Sequence, residues 1–318
     1  MSVELNHLAA QRILLWRVGW LLLATLVVHA VALVATGGDI DGPVSLRKPI
    51  TFAEATWLLC WSVSLALRWV RLGPKPAWFV TGAVVLFGVG ETTIMAIQAW
   101  RGVPSHYNFT TTFDAVLMRG GAAGLAVVLL AGLVVLLVGV RRSDAPPAVR
   151  LGLTAGTLLL LVGCVIGFAM ISNMSGVFQG SFGGGFSRAQ AGYAGPPASD
   201  VGHEVFAFRP HTAGGDLVLL HAIGVHGLVL LGMPAMLLAG RMMMSERERL
   251  LRVRLLVGSV VVGLVVLAAH ALRQQPWDSL AAWEYTVAAA AVLVYLGTLA
   301  EVVARGRPRL RLSGARVG

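Results

Sequence analysis

Residues 216–231 read DLVLLHAIGVHGLVLL, an apolar run carrying His221 and His226. It continues to about residue 240, and a bilayer core about 30 Å thick needs roughly 20 helical residues to cross it. Ionisable side chains within such a span are costly unless they pair or face water, so the two histidines mark a polar interior in a helix bundle. The whole chain agrees with a membrane setting. Of its 318 residues, 57% are hydrophobic and only 13% charged, against roughly 25% charged in soluble domains.

Apolar runs of spanning length recur eight times, at about 13–36, 52–70, 77–100, 114–140, 151–172, 216–240, 253–272 and 279–304. Backbone polar groups must be satisfied inside lipid, and alternating ten-residue strands are absent from the sequence, so the spans read as helices. The expected fold is an all-α membrane protein, one polytopic domain with a bundle of about eight transmembrane helices. The two cysteines, Cys60 and Cys164, fall inside spans, where they serve as small apolar residues and imply no disulfide framework.

The net charge of +10 follows topology. Arg68, Arg71 and Lys75, then Arg141, Arg142 and Arg150, then Arg241, Arg247, Arg249, Arg252 and Arg254 occupy alternate connections, and a basic tail adds more. Asp39, Asp41, Asp114, Asp200, Glu204, Asp216 and Asp278 occupy the others. Because positive charge is retained in the cytoplasm, both termini are expected there, in a bacterial inner membrane. No continuous basic patch remains for nucleic acid. The long outer loop 173–215 mixes glycines with aromatics and reads either as a lid over the bundle or as a loop resting at the headgroups.

Counting along the spans brings the polar residues to one depth. His29, Glu91 and His270 stand 16 or 17 residues beyond the basic residue at the cytoplasmic edge, about 24 Å up at 1.5 Å per residue. Glu54, Arg119, His221 and Glu284 stand 5 or 6 residues below the outer edge, roughly 8 Å down and so nearly in the same plane. The fifth span offers only Ser172 and Gly167. Either these residues form a site in the outer half, or they form a ring at the headgroups. Glu91 and His226, about 14 Å below the outer edge, favour the site.

Within it, Arg119 is the expected partner of Glu91 or Glu54. His221 and His226 are five apart, a rotation of about 140° that keeps them from chelating one ion from a regular helix. Gly224 would permit a bulge that changes this. The expected roles are acid–base work for Glu91, Arg119, Glu54 and Glu284, and cofactor binding for His221, His226, His29 and His270. A metal would be held by His221 and His226, or a single haem between two helices. Lys48, His106, Asp114 and Asp216 would line the outer mouth.

The stretches RKPITFAEA (47–55), ETTIMAIQAWRGVPSHYNFTTTFDA (91–115) and GDLVLLHAIGVHGLVLLGMP (215–234) carry a resemblance. The chain is similar to a family of bacterial multi-pass membrane proteins, abundant in actinobacteria, that has no established activity. The resemblance implies the membrane setting and supplies no reaction. Three functions are therefore expected, in this order: a cofactor protein with redox or hydrolytic chemistry, a proton-coupled transporter of a small polar solute, and a non-catalytic subunit or sensor that binds a lipid or partner. The cofactor reading lacks a compact signature such as HExxH.

Overall fold

The computed structural model describes residues 8–38, 44–104, 108, 111–172, 217–240, 244–273, 275 and 279–304. Among them the chain is helical, with no strand. The helices are α1 (Ala9–Thr36), α2 (Arg47–Ala66), α3 (Pro74–Trp100), α4 (Thr112–Arg141), α5 (Pro147–Ser172), α6 (Val218–Val225), α7 (Leu228–Ala239), α8 (Glu246–Leu272) and α9 (Ala282–Ala304). Six of them are long and apolar enough to cross a membrane, and α6 with α7, bent by 47° at their junction, would make a seventh. Large apolar side chains stand outward along them, Val34 at 82% exposure and Leu293 at 70%. Such a surface suits lipid, so the chain is a multi-pass membrane protein.

The count of eight is not reached by length and composition, because α2 does not qualify. Its polarity explains this: it carries Arg47, Lys48 and Glu54, and buries Thr56, Ser62 and Ser64. Two polar side chains of this helix reach backbone carbonyls of α1. The Ser64 hydroxyl donates to the Arg12 carbonyl at 3.0 Å, and the Trp61 indole donates to the Trp16 carbonyl at 3.2 Å. Gly19 makes the second contact feasible, since a Cβ there would lie 2.2 Å from the Trp61 ring nitrogen. The helix also begins earlier than the apolar run suggested, taking in RKPI, with Pro49 tolerated in its first turn.

One core joins α1, α2, α3, α4, α5 and α7 through Leu15, Val63, Val80, Leu133, Leu153 and Leu228. A second joins α5, α7, α8 and α9 through Ala148, Leu238, Val253 and Val302. Helix α5 belongs to both, and glycine lets it approach α6 and α7 backbone to backbone. A Cβ on Gly163 would meet the carbonyl carbon of Gly224 at 2.5 Å, and one on Gly156 would meet the oxygen of Gly227 at 2.7 Å. Lipid supplies no hydrophobic drive between helices, so this close van der Waals contact is a principal source of their association.

The junction of α6 and α7 is a true break. His226 leaves the helical region at φ −90° and ψ 9°, and Leu228–Gly232 follow as a π-helical turn. Pro234 has no N–H to give the Leu230 carbonyl in the α-helical pattern, and the Tyr295 hydroxyl of α9 donates to that oxygen at 2.9 Å. Neighbouring side chains commonly satisfy a broken span in this way.

Replacing Gly163 by Val should lower stability by about 1–3 kcal/mol through overpacking. Gly258→Val, at a site with no atom within 4 Å of an added Cβ, should be neutral. Thermal unfolding of the two variants in one detergent checks the contrast.

Candidate functional site

The site begins where the broken span meets α2. His226 Nδ1 lies 2.7 Å from the Ala222 carbonyl, and Nε2 lies 3.2 Å from Glu54 Oε2. A carbonyl only accepts, so Nδ1 carries a proton and donates it. Nε2 then faces a carboxyl oxygen, and that contact is a hydrogen bond only when one further proton sits between them. The pair is either imidazolium with carboxylate or imidazole with carboxylic acid. Both side chains are half-buried, at 27% and 38% exposure.

His221 turns elsewhere. Its Nδ1 donates to the Gly163 carbonyl of α5 at 2.8 Å, and its ring lies over Gly167, where a Cβ would come within 2.9 Å of Cε1. The two histidines thus face different helices. In place of the bulge anticipated at Gly224 there is a break two residues later, at His226, followed by the π-helical turn Leu228–Gly232, and the His226 ring meets α2 while the two rings stay apart.

His29 is closed at both nitrogens. Nδ1 donates to the Thr25 carbonyl at 2.8 Å, and Nε2 accepts from the Trp100 indole at 3.2 Å. An indole N–H only donates, so His29 is a neutral imidazole with no lone pair left for a metal. His270 lies beside Glu284, Nδ1 to Oε2 at 3.5 Å, and Arg273 pairs with the same carboxylate. Glu284 also accepts from the Ala281 N–H at 2.9 Å, which makes it a helix-end group of α9.

Asp114 is a latch. Nearly fully buried, its Oδ1 accepts from Gln98 at 2.8 Å and from Arg101 at 2.6 Å, while Oδ2 accepts from the Thr111 hydroxyl at 2.6 Å. Thr111 in turn caps α4 by accepting the Asp114 N–H. Gly102, at φ 68°, ends α3 just after Arg101 and so leaves that guanidinium at the helix end. The latch ties α3 to α4 and has no carboxylate oxygen to spare.

Glu91 is different. It is 4% exposed, and its Oε2 has no hydrogen-bond partner. One residue on, the Thr92 and Thr56 hydroxyls meet at 3.2 Å between α3 and α2. The expected pairing with Arg119 does not form: Arg119 is exposed on the π-helical turn Leu117–Ala123, and Glu54 faces His226 instead. The extra residue in that turn shifts the register of α4 and takes the arginine off the bundle face.

The residues expected at one depth therefore separate into distinct arrangements: His226 with Glu54, His29 with Trp100, Asp114 with Gln98 and Arg101, His270 with Glu284 and Arg273, and Glu91 by itself at Oε2. Among the described residues no three His, Cys, Asp or Glu side chains gather as a metal would require. Lys48 lies half-buried in the first turn of α2. His106 and Asp216 lie outside the described residues, as does the loop 173–215, with its two readings as a lid or as a loop at the headgroups. Sequence reasoning missed Arg101, Tyr295 and the glycine seam. Only the seam had a sequence signal, small residues four apart at 152/156 and 163/167 in an apolar span.

No family model, curated protein or solved structure matches the chain. The site's own geometry is what bears on function.

Asp114→Ala should cost about 1–3 kcal/mol, because it leaves the buried Gln98 amide without its acceptor. His226→Gln, at a half-buried pair, should cost about 0.6 kcal/mol, the usual size of a polar contact between spans. Unfolding of both in mixed micelles measures the difference.

Proposed function

We propose that this chain is a proton-coupled carrier of a small polar solute, with His226 and Glu54 as its proton-binding pair. The observation that supports it is the placement of that pair: a one-proton contact between two helices, at the break of a bent span. Carriers commonly build their sites where spans are interrupted, and π-helical turns recur at functional positions. Protonation of the pair changes whether α2 and the α6 and α7 junction attract each other, which gives a proton leverage over the bend. Glu91, with an unpartnered buried oxygen, is the group that would meet the solute or its water.

In this reading the polypeptide makes eight spans, with α2 as an interior span and with both termini in the cytoplasm of a bacterial cell, as the basic connections require. The family resemblance in 47–55, 91–115 and 215–234 fits, since those stretches supply Glu54, Glu91 and His226. The dispersal of the four histidines favours proton handling over a shared metal or haem.

The test is proton uptake by proteoliposomes holding an internal pH dye, under an imposed gradient and with a panel of amino acids, sugars and small acids outside. Wild type should take up protons with at least one solute. Glu54→Gln and His226→Gln should slow this by roughly 100-fold, the size of a lost proton-transfer group, while Glu301→Gln, whose carboxylate pairs with Arg252, keeps it. Equal rates in all four proteins would end the carrier reading.

A further inference from the structure

The opposite end of the bundle holds an open groove of about 430 Å³ where α5 lies between α4 and α8. Arg141 from the end of α4, Arg150 from the first turn of α5 and Arg254 from α8 line it, with the Thr154 hydroxyl and the apolar sides of Leu151 and Leu250. Three arginines from three separate helices thus border one space. All three are exposed. The acids nearby have other partners: Glu246 accepts from the Ala148 N–H and Arg249, Glu301 pairs with Arg252, and Asp144 pairs with Arg71. Among the described residues no carboxylate pairs with the groove arginines.

The surroundings say what kind of anion fits. Directly along the same helices run outward-facing apolar side chains: Val134 and Val138 on α4, Leu158 and Val162 on α5, Leu255 and Val261 on α8. The groove therefore sits at the rim of the lipid-facing surface, where headgroups lie and acyl chains begin. We propose that it is a binding site for the phosphate headgroup of an anionic phospholipid, whose acyl chains lie along α4, α5 and α8. Arginine is suited to this, because its planar fork holds phosphate oxygens in pairs. Basic pockets between spans at the cytoplasmic face are the usual form of such sites. The ligand would secure α8 and α9, which reach the rest of the bundle largely through α5 and α7, to α4 as well.

The proposal is independent of the carrier reading, since it concerns other residues at the other end of the spans. It is tested by native mass spectrometry of the full chain in detergent, titrated with dioleoyl phosphatidylglycerol and, separately, dioleoyl phosphatidylcholine. The glycerol lipid should be retained in preference. Its first binding step should weaken by roughly fivefold for each arginine removed, so about twenty-five-fold in the Arg150→Gln, Arg254→Gln double variant. Arg17→Gln, at another exposed arginine of α1, should bind as wild type. The single variants serve if the double variant does not purify. Unchanged binding in the groove variants, or an equal loss in Arg17→Gln, would overturn the site. Displacement of the lipid by millimolar inorganic phosphate would overturn the lipid and assign the groove to free phosphate.

Discussion

Backbone contact between α5 and the broken span is the constraint on which the site rests. Gly156 and Gly163 on one side, Gly227 and Gly224 on the other, leave no room for a single Cβ. That closeness puts the Gly163 carbonyl within reach of His221 and opens space for its ring over Gly167. With α6 fixed in this way, the change of direction at His226 decides where the second imidazole goes, and it goes to Glu54. A side chain at either glycine would separate the helices and undo both contacts.

Lipid makes each of these choices stricter than water would. A polar group without a partner has nothing to turn to in hydrocarbon, and the bundle answers nearly every departure from regular helix with a specific donor. Tyr295 covers the oxygen above Pro234, Trp100 occupies the second nitrogen of His29, and Thr111, Gln98 and Arg101 surround Asp114. Several buried polar atoms lack a partner, and among the described residues Glu91 Oε2 is the one carboxylate oxygen in that group. A histidine and carboxylate pair is left half-exposed.

The amino-acid order alone made much of this legible. Apolar length announced eight spans, of which six are helices long and apolar enough to cross a membrane and the bent pair would make a seventh; Asp114 and Glu284, expected at the outer mouth and in acid–base work, are held as helix-end groups instead. Helix α2 was legible as a span but its start and its contacts were not, because Ser64, Trp61 and Glu54 meet partners that only folding supplies. The residues expected at one depth do not gather into one cluster for a related reason: depth along an axis says nothing about the direction a side chain takes around it. Arg119 shows this best, since one π-helical turn rotates it away from both carboxylates it seemed made for. The break at His226 was half visible, signalled by Gly224, but its exact residue depends on packing against α5.

The central claim is that one proton is shared between His226 Nε2 and Glu54 while Nδ1 stays protonated. Nitrogen-15 NMR of the labelled histidine in bilayers, followed through a pH titration, reads both nitrogens directly. The account expects an Nδ1 signal that remains that of an N–H throughout and an Nε2 signal that alone titrates, with a changed profile in Glu54→Gln. An Nδ1 that loses its proton, or an Nε2 indifferent to Glu54, would contradict it.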